Sequence, residues 1–399
     1  MERLTSNSDI LDLAIIGGGP AGTAAALEAS RLGLSAVIWE RDRFPRDKVC
    51  GEFISSEALP FLQSVIPEAV ARGAEILRAE FVSGNGSSRT FCLPRPALGL
   101  SRRVLDQELW KACEAAGIEV HEGESVCRVR KIGSGGSQHA GWEIETATGS
   151  IRRARVLIVA CGRWWTIEGL SSPARQTESQ TLGGWVGLKA HLAGVPSRGF
   201  VEMYFFRGGY CGLAPVEDGA CNLCCLVRRE LVRGCRAKAV DDFASWLPQI
   251  SHLAALENRL RGARQATKAI ATAPVHLSQR QAAQRGALMV GDASGFLDPF
   301  TGEGISMGVH SGKLAAQAAA MASSEGFGSE RAADIYCQGL KEAVKRSYVV
   351  AAMARGLLHG PEWFRGLVTA PLPWVGGYLV RKTRWRGSRE ANARLSNLG

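Results

Sequence analysis

The chain has 399 residues, 46% of them hydrophobic and 22% charged, and a mass of 42.7 kDa. This composition predicts a soluble globular protein with a sizeable apolar core and two or three domains. The 47 glycines follow no Gly-X-Y repeat, which excludes a collagen-like chain. The net charge of +10 comes without zinc-finger spacing or a compact basic array, so we expect no nucleic-acid partner.

The eleven cysteines are odd in number and irregularly spaced, which argues against a disulfide framework and for a reducing compartment. One tight group contains Cys221, Cys224 and Cys225. A zinc site would need a second pair at similar spacing, so we interpret the group as part of a buried strand and predict no metal. The polar N-terminus lacks a secretory signal, and no run of about 18 apolar residues is present, so a cytoplasmic location is expected.

The first elements in chain order form a β-α-β unit. The apolar run 11–16 ends in glycines and predicts a buried parallel strand, which an Ala-rich helix follows at 21–32. Residues 35–39 predict the second strand. A helix at about 103–116 precedes three strand-like runs between 128 and 159.

The second half of the chain returns from sheet to helix. Residues 181–228 alternate apolar and polar side chains between glycines, which predicts the sheet of a second domain. Residues 237–260 predict helix. A buried strand at 287–290 then leads into a glycine-rich turn and a helix from about Gly304.

The first motif is a glycine-rich turn between the first strand and the first helix. Gly17 allows the tight turn, Gly19 lets a pyrophosphate approach the backbone, and Gly22 lets helix and strand pack closely. The helix N-terminus presents N–H groups and a partial positive charge to the phosphates. Glu40, at the end of the second strand, can accept hydrogen bonds from both ribose hydroxyls, which favours FAD or NAD over a 2′-phosphorylated nucleotide.

A second glycine-rich motif begins at Gly291 and Asp292 and continues through Pro299 and Gly302 to Gly304. A carboxylate at a strand end suits a ribityl hydroxyl or a water that bridges the pyrophosphate. The helix from Gly304 can direct its dipole at the flavin N1–C2=O group, where negative charge develops on reduction. This motif disfavours a plain NAD dehydrogenase.

The two motifs together resemble the FAD-binding core of the para-hydroxybenzoate hydroxylase superfamily, which includes aromatic monooxygenases, flavin-dependent halogenases and geranylgeranyl reductases. Residues 102–106, Arg-Arg-Val-Leu-Asp, resemble its R-x-x-L/F-D segment, whose arginine contacts FAD. Residues 44–52, Phe-Pro-Arg-Asp-Lys-Val-Cys-Gly-Glu, resemble the K-x-C-G segment of geranylgeranyl reductases and, more loosely, the F-P-R…G-E segment of halogenases. The resemblance covers about residues 11–60, 100–165 and 285–315.

The resemblance implies an α/β fold with a discontinuous, glutathione-reductase-like Rossmann domain for FAD, a β-rich substrate domain and a helical C-terminal region. The expected FAD-binding domain comprises residues 8–80, 100–180 and 281–325. The substrate domain would comprise 81–99 and 181–280, and the C-terminal region 326–399.

The resemblance also implies residues that bind FAD. Arg102 is a candidate contact, with an exposed arginine at a helix N-terminus as the alternative. The full implied set is Gly17, Gly19, Pro20, Ala21, Gly22, Glu40, Arg41, Cys50, Arg102, Val126, Gly291, Asp292, Pro299, Gly302, Gly304 and Ile305.

Three residues are candidates for catalysis. Cys50 would tune the flavin or act as an acid, with Lys48 as a cation that lowers its pKa; a buried structural cysteine is the alternative. Glu52 is a second catalytic candidate, with a structural role as the alternative. Tyr210 is a candidate phenolic donor to the substrate, with core packing as the alternative.

The chain departs from its resemblance at two places. Class A hydroxylases carry Asp-Gly where Cys161 and a glycine stand here, so reduction by NADPH in the hydroxylase manner is not implied. The Y-x-W-x-F-P motif of geranylgeranyl reductases is matched by residues 210–215, but Gly212 and Ala214 replace the large rings. The smaller side chains would enlarge any pocket that this motif lines, which favours a bulky or rigid substrate over a slim prenyl chain. We find no lysine in a setting typical of halogenases.

The expected function is that of an FAD-dependent oxidoreductase acting on a lipophilic unsaturated or aromatic small molecule. Hydride delivery from flavin N5 to a double bond is preferred, and hydroxylation through a C4a-hydroperoxide is the alternative; halogenation or a quinone-linked role is less favoured. The electron donor would be NAD(P)H or a separate reductase. Aromatic and basic residues at 356–386 suggest peripheral membrane contact, or packing over a pocket or a dimer surface.

Overall fold

The computed structural model describes residues 10–133, 140–163, 165–170, 184–233, 241–275, 281–295, 302–326 and 328–358. The strands are β1 (Ile10–Ile16), β2 (Ala36–Glu40), β3 (Phe53–Ile54), β4 (Ala74–Val82), β5 (Ser88–Gly99), β6 (Glu119–Glu122), β7 (Val126–Ile132), β8 (Gly141–Thr146), β9 (Ile151–Val159), β10 (Trp185–Ala193), β11 (Phe200–Phe206), β12 (Gly209–Pro215), β13 (Cys221–Arg228), β14 (Arg264–Gln265), β15 (Ile270–Val275), β16 (Ala283–Gln284) and β17 (Ala287–Met289). The helices are α1 (Pro20–Arg31), α2 (Leu59–Val65), α3 (Pro67–Arg72), α4 (Arg102–Ala115), α5 (Arg229–Val232), α6 (Phe243–Ser251), α7 (Ala254–Arg259), α8 (Gly304–Ser324) and α9 (Ser329–Leu358).

The first sheet carries the predicted dinucleotide motifs. Its order is β16-β17-β9-β1-β2-β6, and β17, β9, β1, β2 and β6 pair in parallel. The antiparallel pairs β7–β8 and β8–β9 form the predicted meander. Carboxyl ends of parallel strands meet at one edge, so the residues that follow β1, β2, β9 and β17 lie together.

Helices α1 and α8 pack closely on one face of this sheet. A Cβ atom at Gly312 would lie 2.0 Å from the carbonyl oxygen of Ala21, so only glycine allows this approach. The helices lie over the apolar face of the sheet, which includes Leu13, Ile15 and Ile38. The core therefore holds the first turn of α1 against the first half of α8, at Gly308 and Gly312.

The second sheet has the order β14-β10-β13-β12-β11-β4-β5-β3, with β15 also paired to β10. One face packs against α6 and α7 through Leu188, Leu213, Leu223, Phe243 and Leu247. The strand predicted for the cysteine group is confirmed as β13, and the predicted α/β fold is confirmed.

The first segment of the FAD-binding domain was predicted to end at residue 80. Strands β3 and β4 nevertheless lie in the second sheet, because β3 pairs with β5 and β4 pairs with β5 and β11. The division into domains stays a prediction. The predicted tail contact at 356–386 reaches beyond the described residues. Among those described, no helix is long and apolar enough to cross a membrane.

Candidate functional site

The turn from β1 into α1 has the geometry that its glycines predict. Gly17 has a φ of 110°, and a Cβ there would lie 2.4 Å from the carbonyl oxygen of Ala160. A Cβ at Gly22 would lie 1.8 Å from the carbonyl oxygen of Gly17. Gly19 caps α1 without a side-chain hydrogen bond, and Pro20 is the first helical residue. The first N–H groups of α1 are therefore open to an anionic ligand.

Arg102 brings a cation to this turn. A Cβ built on Gly19 would have Arg102 Nη2 as its neighbour at 3.6 Å. The guanidinium is held by Asp106, with Nε–Oδ1 at 2.6 Å and Nη2–Oδ2 at 2.8 Å, and Asp106 is fully buried. Burial opposes the charge of Arg102, but Asp106 raises its pKa above the ordinary value. Arg102 is therefore a fixed positive charge beside the turn, as a phosphate contact requires.

Glu40 lies at the carboxyl end of β2, as predicted, and is 6% exposed. Its Oε2 accepts a hydrogen bond from the Gly18 N–H at 2.8 Å. Its Oε1 lies 2.5 Å from Arg46 Nη1 and accepts a bond from the Asp42 N–H at 3.0 Å. Arg46 also lies 3.5 Å from Asp106, so it connects the ends of β2 and α4. Arg46 belongs to the Phe-Pro-Arg segment at 44–46, for which the sequence predicts no separate role.

The second motif meets the first through Ala21. A Cβ at Gly291 would lie 3.0 Å from Ala21 Cβ, and the Gly291 N–H donates a hydrogen bond to Ser311 Oγ. Asp292 is partly exposed at the same edge. Gly302 has a φ of 64° and faces the Phe53 ring.

Other residues of the implied set lie around these motifs. Gly304 begins α8 in an exposed position, and Ile305 is buried behind it. Val126 is buried at the start of β7, close to Glu124, whose N–H bonds the Glu40 carbonyl. Arg41 is exposed and lies 3.7 Å from Asp42. Pro299 lies outside the described residues.

At the place of the hydroxylase Asp-Gly pair, the Cys161 thiol contacts the carbonyl oxygen of Ile16 at 3.3 Å. Burial raises its pKa to about 12, so it stays neutral at physiological pH. Arg163, two residues on, reaches the same edge, with Nε 3.9 Å from Asp292 Oδ2. Burial lowers the pKa of Arg163. The sequence pattern gave no signal for this arginine.

The segment that resembles K-x-C-G lies between the two sheets. The Cys50 carbonyl accepts a hydrogen bond from Asn222 Nδ2 at 2.9 Å, and the Glu52 N–H donates one to Cys50 Sγ at 3.4 Å. Burial raises the pKa of the Cys50 thiol. The predicted cation, Lys48, is instead paired with Asp42. Arg102 and Lys189 are the cations that favour the Cys50 thiolate.

Glu52 is fully buried among charged residues that the sequence did not predict as its neighbours. Its Oε1 lies 2.5 Å from Lys189 Nζ, and its Oε2 lies 2.6 Å from His191 Nε2. The Arg102 N–H donates a further bond to Oε1 at 2.7 Å. Lys189 and His191 occupy alternate positions of β10, so both point to the same face of the sheet.

The sheet face that carries Lys189 and His191 continues across β13, β12 and β11 as a half-buried surface. Strand pairing places Gly212 beside Cys224 and Met203, and Tyr210 beside Leu226, and all five are half-buried. We call these five residues the apolar wall.

Tyr210 lies apart from Cys50. It pairs with Leu226, four residues along β13 from the Asn222 that bonds the Cys50 carbonyl. Four residues of strand span roughly 13 Å. The structure therefore brings Cys50 and Glu52 together and leaves Tyr210 at the far end of the wall, where its ring also lies 6.1 Å from Phe205.

Known proteins resemble this chain over most of its length. Digeranylgeranylglycerophospholipid reductase 2 of Methanopyrus kandleri is 28% identical over 324 residues, which cover 79% of this chain and 78% of that protein. Menaquinone reductase of Mycobacterium tuberculosis is 25% identical over 401 residues, covering 95% and 89%. The solved structure of the flavin-dependent brominase Bmp2 has the same fold, with a TM-score of 0.74, 18% identity and coverage of 97% and 98%. No protein-family model matches the chain.

These likenesses agree with the two glycine-rich motifs at one sheet edge. The chain is similar in sequence to these reductases and similar in fold to a flavin-dependent enzyme, as an FAD-dependent oxidoreductase would be. The predicted resemblance is thereby confirmed, while the role of each site residue stays a prediction.

Replacing Arg102 by lysine is expected to raise the flavin dissociation constant by about tenfold or more. Lysine keeps the charge but loses the two-pronged hydrogen bonding of the guanidinium. A hydrogen bond to a charged group contributes about 1.5–3 kcal/mol, and about 1.4 kcal/mol corresponds to a factor of ten. Fluorescence titration of the flavin-free protein measures the constant. Arg103→Lys is the control, since Arg103 is an exposed neighbour paired with Asp47; equal constants for the two variants would contradict the role of Arg102.

Proposed function

We propose that the protein is an FAD-dependent reductase that saturates a carbon–carbon double bond in a lipophilic small molecule. The observation that carries the proposal is the similarity, over most of the chain, to proteins named as reductases of a digeranylgeranylglycerophospholipid and of menaquinone. The Cys50 segment, which resembles geranylgeranyl reductases, supports the same class. Hydroxylation of such a substrate is the alternative that the experiment below separates.

FAD fits the residues present at the edge of the first sheet. The open N-terminus of α1 and the Arg102 cation suit the pyrophosphate. Glu40, which already accepts bonds from Gly18 and Asp42 and pairs with Arg46, has one of its roughly four lone-pair sites left for a ribose hydroxyl. FAD has an adenosine half that FMN lacks, so a carboxylate placed to bind the adenosine ribose, as Glu40 is, favours FAD over FMN. When bound, FAD supplies hydride chemistry.

Residues of the second motif would hold the ribityl and flavin end. Asp292 is partly exposed at the same edge as Gly17, which suits a hydroxyl contact. The start of α8 at Gly304 directs N–H groups toward this side, where they would stabilise negative charge. Arg163, beside Asp292, adds a positive charge that would do the same.

The substrate would lie between the Cys50 segment and the apolar wall. The wall offers a thioether, a thiol, an aliphatic chain and a phenol ring, which suit an apolar molecule. Cys50 would donate the proton that accompanies hydride addition, because its raised pKa keeps the thiol protonated. Tyr210, at the far end of the wall, would contact a distal part of the substrate.

The decisive test follows the fate of the substrate. The FAD-loaded protein is reduced anaerobically with NADH, NADPH or dithionite and mixed with a geranylgeranylated glycerolipid or with menaquinone in detergent micelles. We expect flavin reoxidation and a product that has gained two hydrogens. A product formed only with oxygen, carrying one added oxygen atom, would replace this proposal with a monooxygenase. Comparison of the three reductants also shows whether NAD(P)H reduces the protein directly.

Replacing Gly212 by tryptophan is expected to raise KM for a bulky substrate by about tenfold while flavin content stays normal. A Cβ at Gly212 would already lie 3.2 Å from Met203 Sδ, so an indole must project into the space beside the wall. Overpacking costs about 1–3 kcal/mol, and about 1.4 kcal/mol is a factor of ten. Steady-state kinetics measure the change. Gly212→Ala is the control, since the flexible Met203 can yield; equal KM values for both variants would show that substrate does not lie against Gly212.

A further inference from the structure

A buried chain of charged groups connects solvent with the Cys50 segment. Arg103 Nη1 lies 3.2 Å from Asp47 Oδ2, and Asp47 Oδ1 lies 3.2 Å from Lys189 Nζ. Lys189 then contacts Glu52 at 2.5 Å, and Glu52 contacts His191 at 2.6 Å. We call Asp47, Glu52, Lys189 and His191 the Glu52 cluster. Its exposure falls inward, from 20% for the Asp47 side chain to 1% for Lys189 and none for Glu52.

Stability alone does not explain this cluster. Taking charges out of water costs several kcal/mol per ion, and well-packed apolar residues often replace buried ion pairs at no loss. Glu52 also adopts a φ of 54°, a region that disfavours residues other than glycine. Strain and buried charge together at one residue are typical of functional sites.

The geometry suits stepwise proton transfer. Each contact from Asp47 to His191 joins a donor and an acceptor at hydrogen-bond distance, which such transfer requires. The inner end lies beside Cys50, since the Glu52 N–H bonds the sulfur at 3.4 Å. The outer end, at Asp47, is reached by water. Through groups that can each gain and lose a proton, the cluster therefore joins solvent to the residue whose backbone N–H bonds the Cys50 sulfur.

We propose that the Glu52 cluster is a proton relay that reprotonates Cys50 from solvent in each turnover. This inference rests on the proposed double-bond reduction. There, one carbon of the double bond receives a hydride, with two electrons, from reduced FAD, and the other receives the Cys50 thiol proton. The thiolate takes a proton from the cluster, and the cluster takes one from solvent at Asp47. The double bond is reduced, FAD returns to its oxidised form, and one solvent proton is consumed.

The charges that face Cys50 allow the relay to be examined without turnover. Glu52 raises the pKa of the Cys50 thiol, whereas Arg102 and Lys189 lower it. Removal of the Glu52 charge should therefore speed Cys50 alkylation at fixed pH, and removal of the Lys189 charge should slow it. A loosened structure would speed alkylation in both variants. The titratable and charged groups around Cys50 and the cluster are Asp47, Glu52, Arg102, Arg103, Arg163, Lys189, His191 and Cys224.

The experiment compares FAD-loaded wild type with Glu52→Gln, Lys189→Gln and Asp47→Asn. Single turnovers use whichever of the two lipids wild type reduces. Glu52→Gln should lower the rate of double-bond reduction by at least about tenfold and leave substrate affinity unchanged, which is within the range of general acid–base effects. The solvent deuterium isotope effect should increase. Asp47→Asn, at the partly exposed end, tests the relay where folding is least at risk and should show a smaller effect of the same kind. Iodoacetamide labelling of Cys50, read by peptide mass spectrometry, should give the opposite shifts for Glu52→Gln and Lys189→Gln.

Glu202→Gln is the matched control. Glu202 is a buried carboxylate of the same sheet, 2% exposed and paired with Arg259 at 2.8 Å, but it lies on the opposite face beside Tyr204. It should leave the rate, the isotope effect and the labelling of Cys50 unchanged. The relay is overturned if wild type reduces the lipid and both Glu52→Gln and Asp47→Asn reduce it as fast as wild type does. It is also overturned if Glu52→Gln and Lys189→Gln both speed the labelling of Cys50. If wild type reduces neither the glycerolipid nor menaquinone, the proposed function is wrong, and the relay, which depends on it, is rejected as well.

Discussion

Replacing Gly22 by alanine is expected to abolish stable flavin binding. The added methyl would lie 1.8 Å from the carbonyl oxygen of Gly17 and 3.2 Å from Ala160 Cβ, so α1 must move away from the turn. Overpacking of this kind costs about 1–3 kcal/mol or more, and about 1.4 kcal/mol is a factor of ten in affinity. Movement of α1 also displaces the N–H groups that face the phosphates. We therefore expect the flavin dissociation constant to rise by well over tenfold.

Fluorescence titration of the flavin-free variant measures this loss, and circular dichroism shows whether the fold persists. Gly328→Ala is the matched control, because a Cβ there would meet nothing within 4 Å. It should bind flavin as wild type does. Normal binding by Gly22→Ala would mean that the turn does not hold the cofactor.

The sequence could predict this turn because each requirement is local. Gly17, Gly19 and Gly22 fall within one strand–turn–helix unit, and Glu40 ends the adjacent strand. The start of α8 at Gly304 was predicted for the same reason. Features that depend on a few neighbouring residues and one strand pairing are visible in a single sequence.

The partners of Glu52 could not be found in the same way. Lys189 and His191 are 137 and 139 residues away, and only the pairing of β10 with β13 brings them to the Cys50 segment. One signal was available: a lysine and a histidine alternate within an otherwise apolar strand, which places both on one face. Lys48 was preferred as the cation near Cys50 because it is close in sequence, but the chain turns it toward Asp42.

Replacing Lys189 by methionine is expected to lower the free energy of unfolding by about 3–5 kcal/mol. Removal of one partner from a buried ion pair leaves the other charge uncompensated, and this cost falls in that range. Glu52 would keep His191 and the Arg102 N–H, but neither replaces an ammonium group at 2.5 Å. Methionine has a similar length and fills the space, so cavity formation contributes little. Urea denaturation of the flavin-free protein measures the change.

The double variant Glu52→Gln/Lys189→Met separates charge from packing. Neutralising both partners removes the uncompensated carboxylate, so part of the lost stability should return, and the two substitutions should be non-additive. Lys111→Met is the control: Lys111 is 56% exposed and pairs with Glu108 at 2.8 Å, and exposed pairs contribute about 0–1 kcal/mol. If Lys189→Met costs no more than Lys111→Met, then water reaches Glu52. The Glu52 cluster would then be a solvated group of charges rather than a route for protons through the protein.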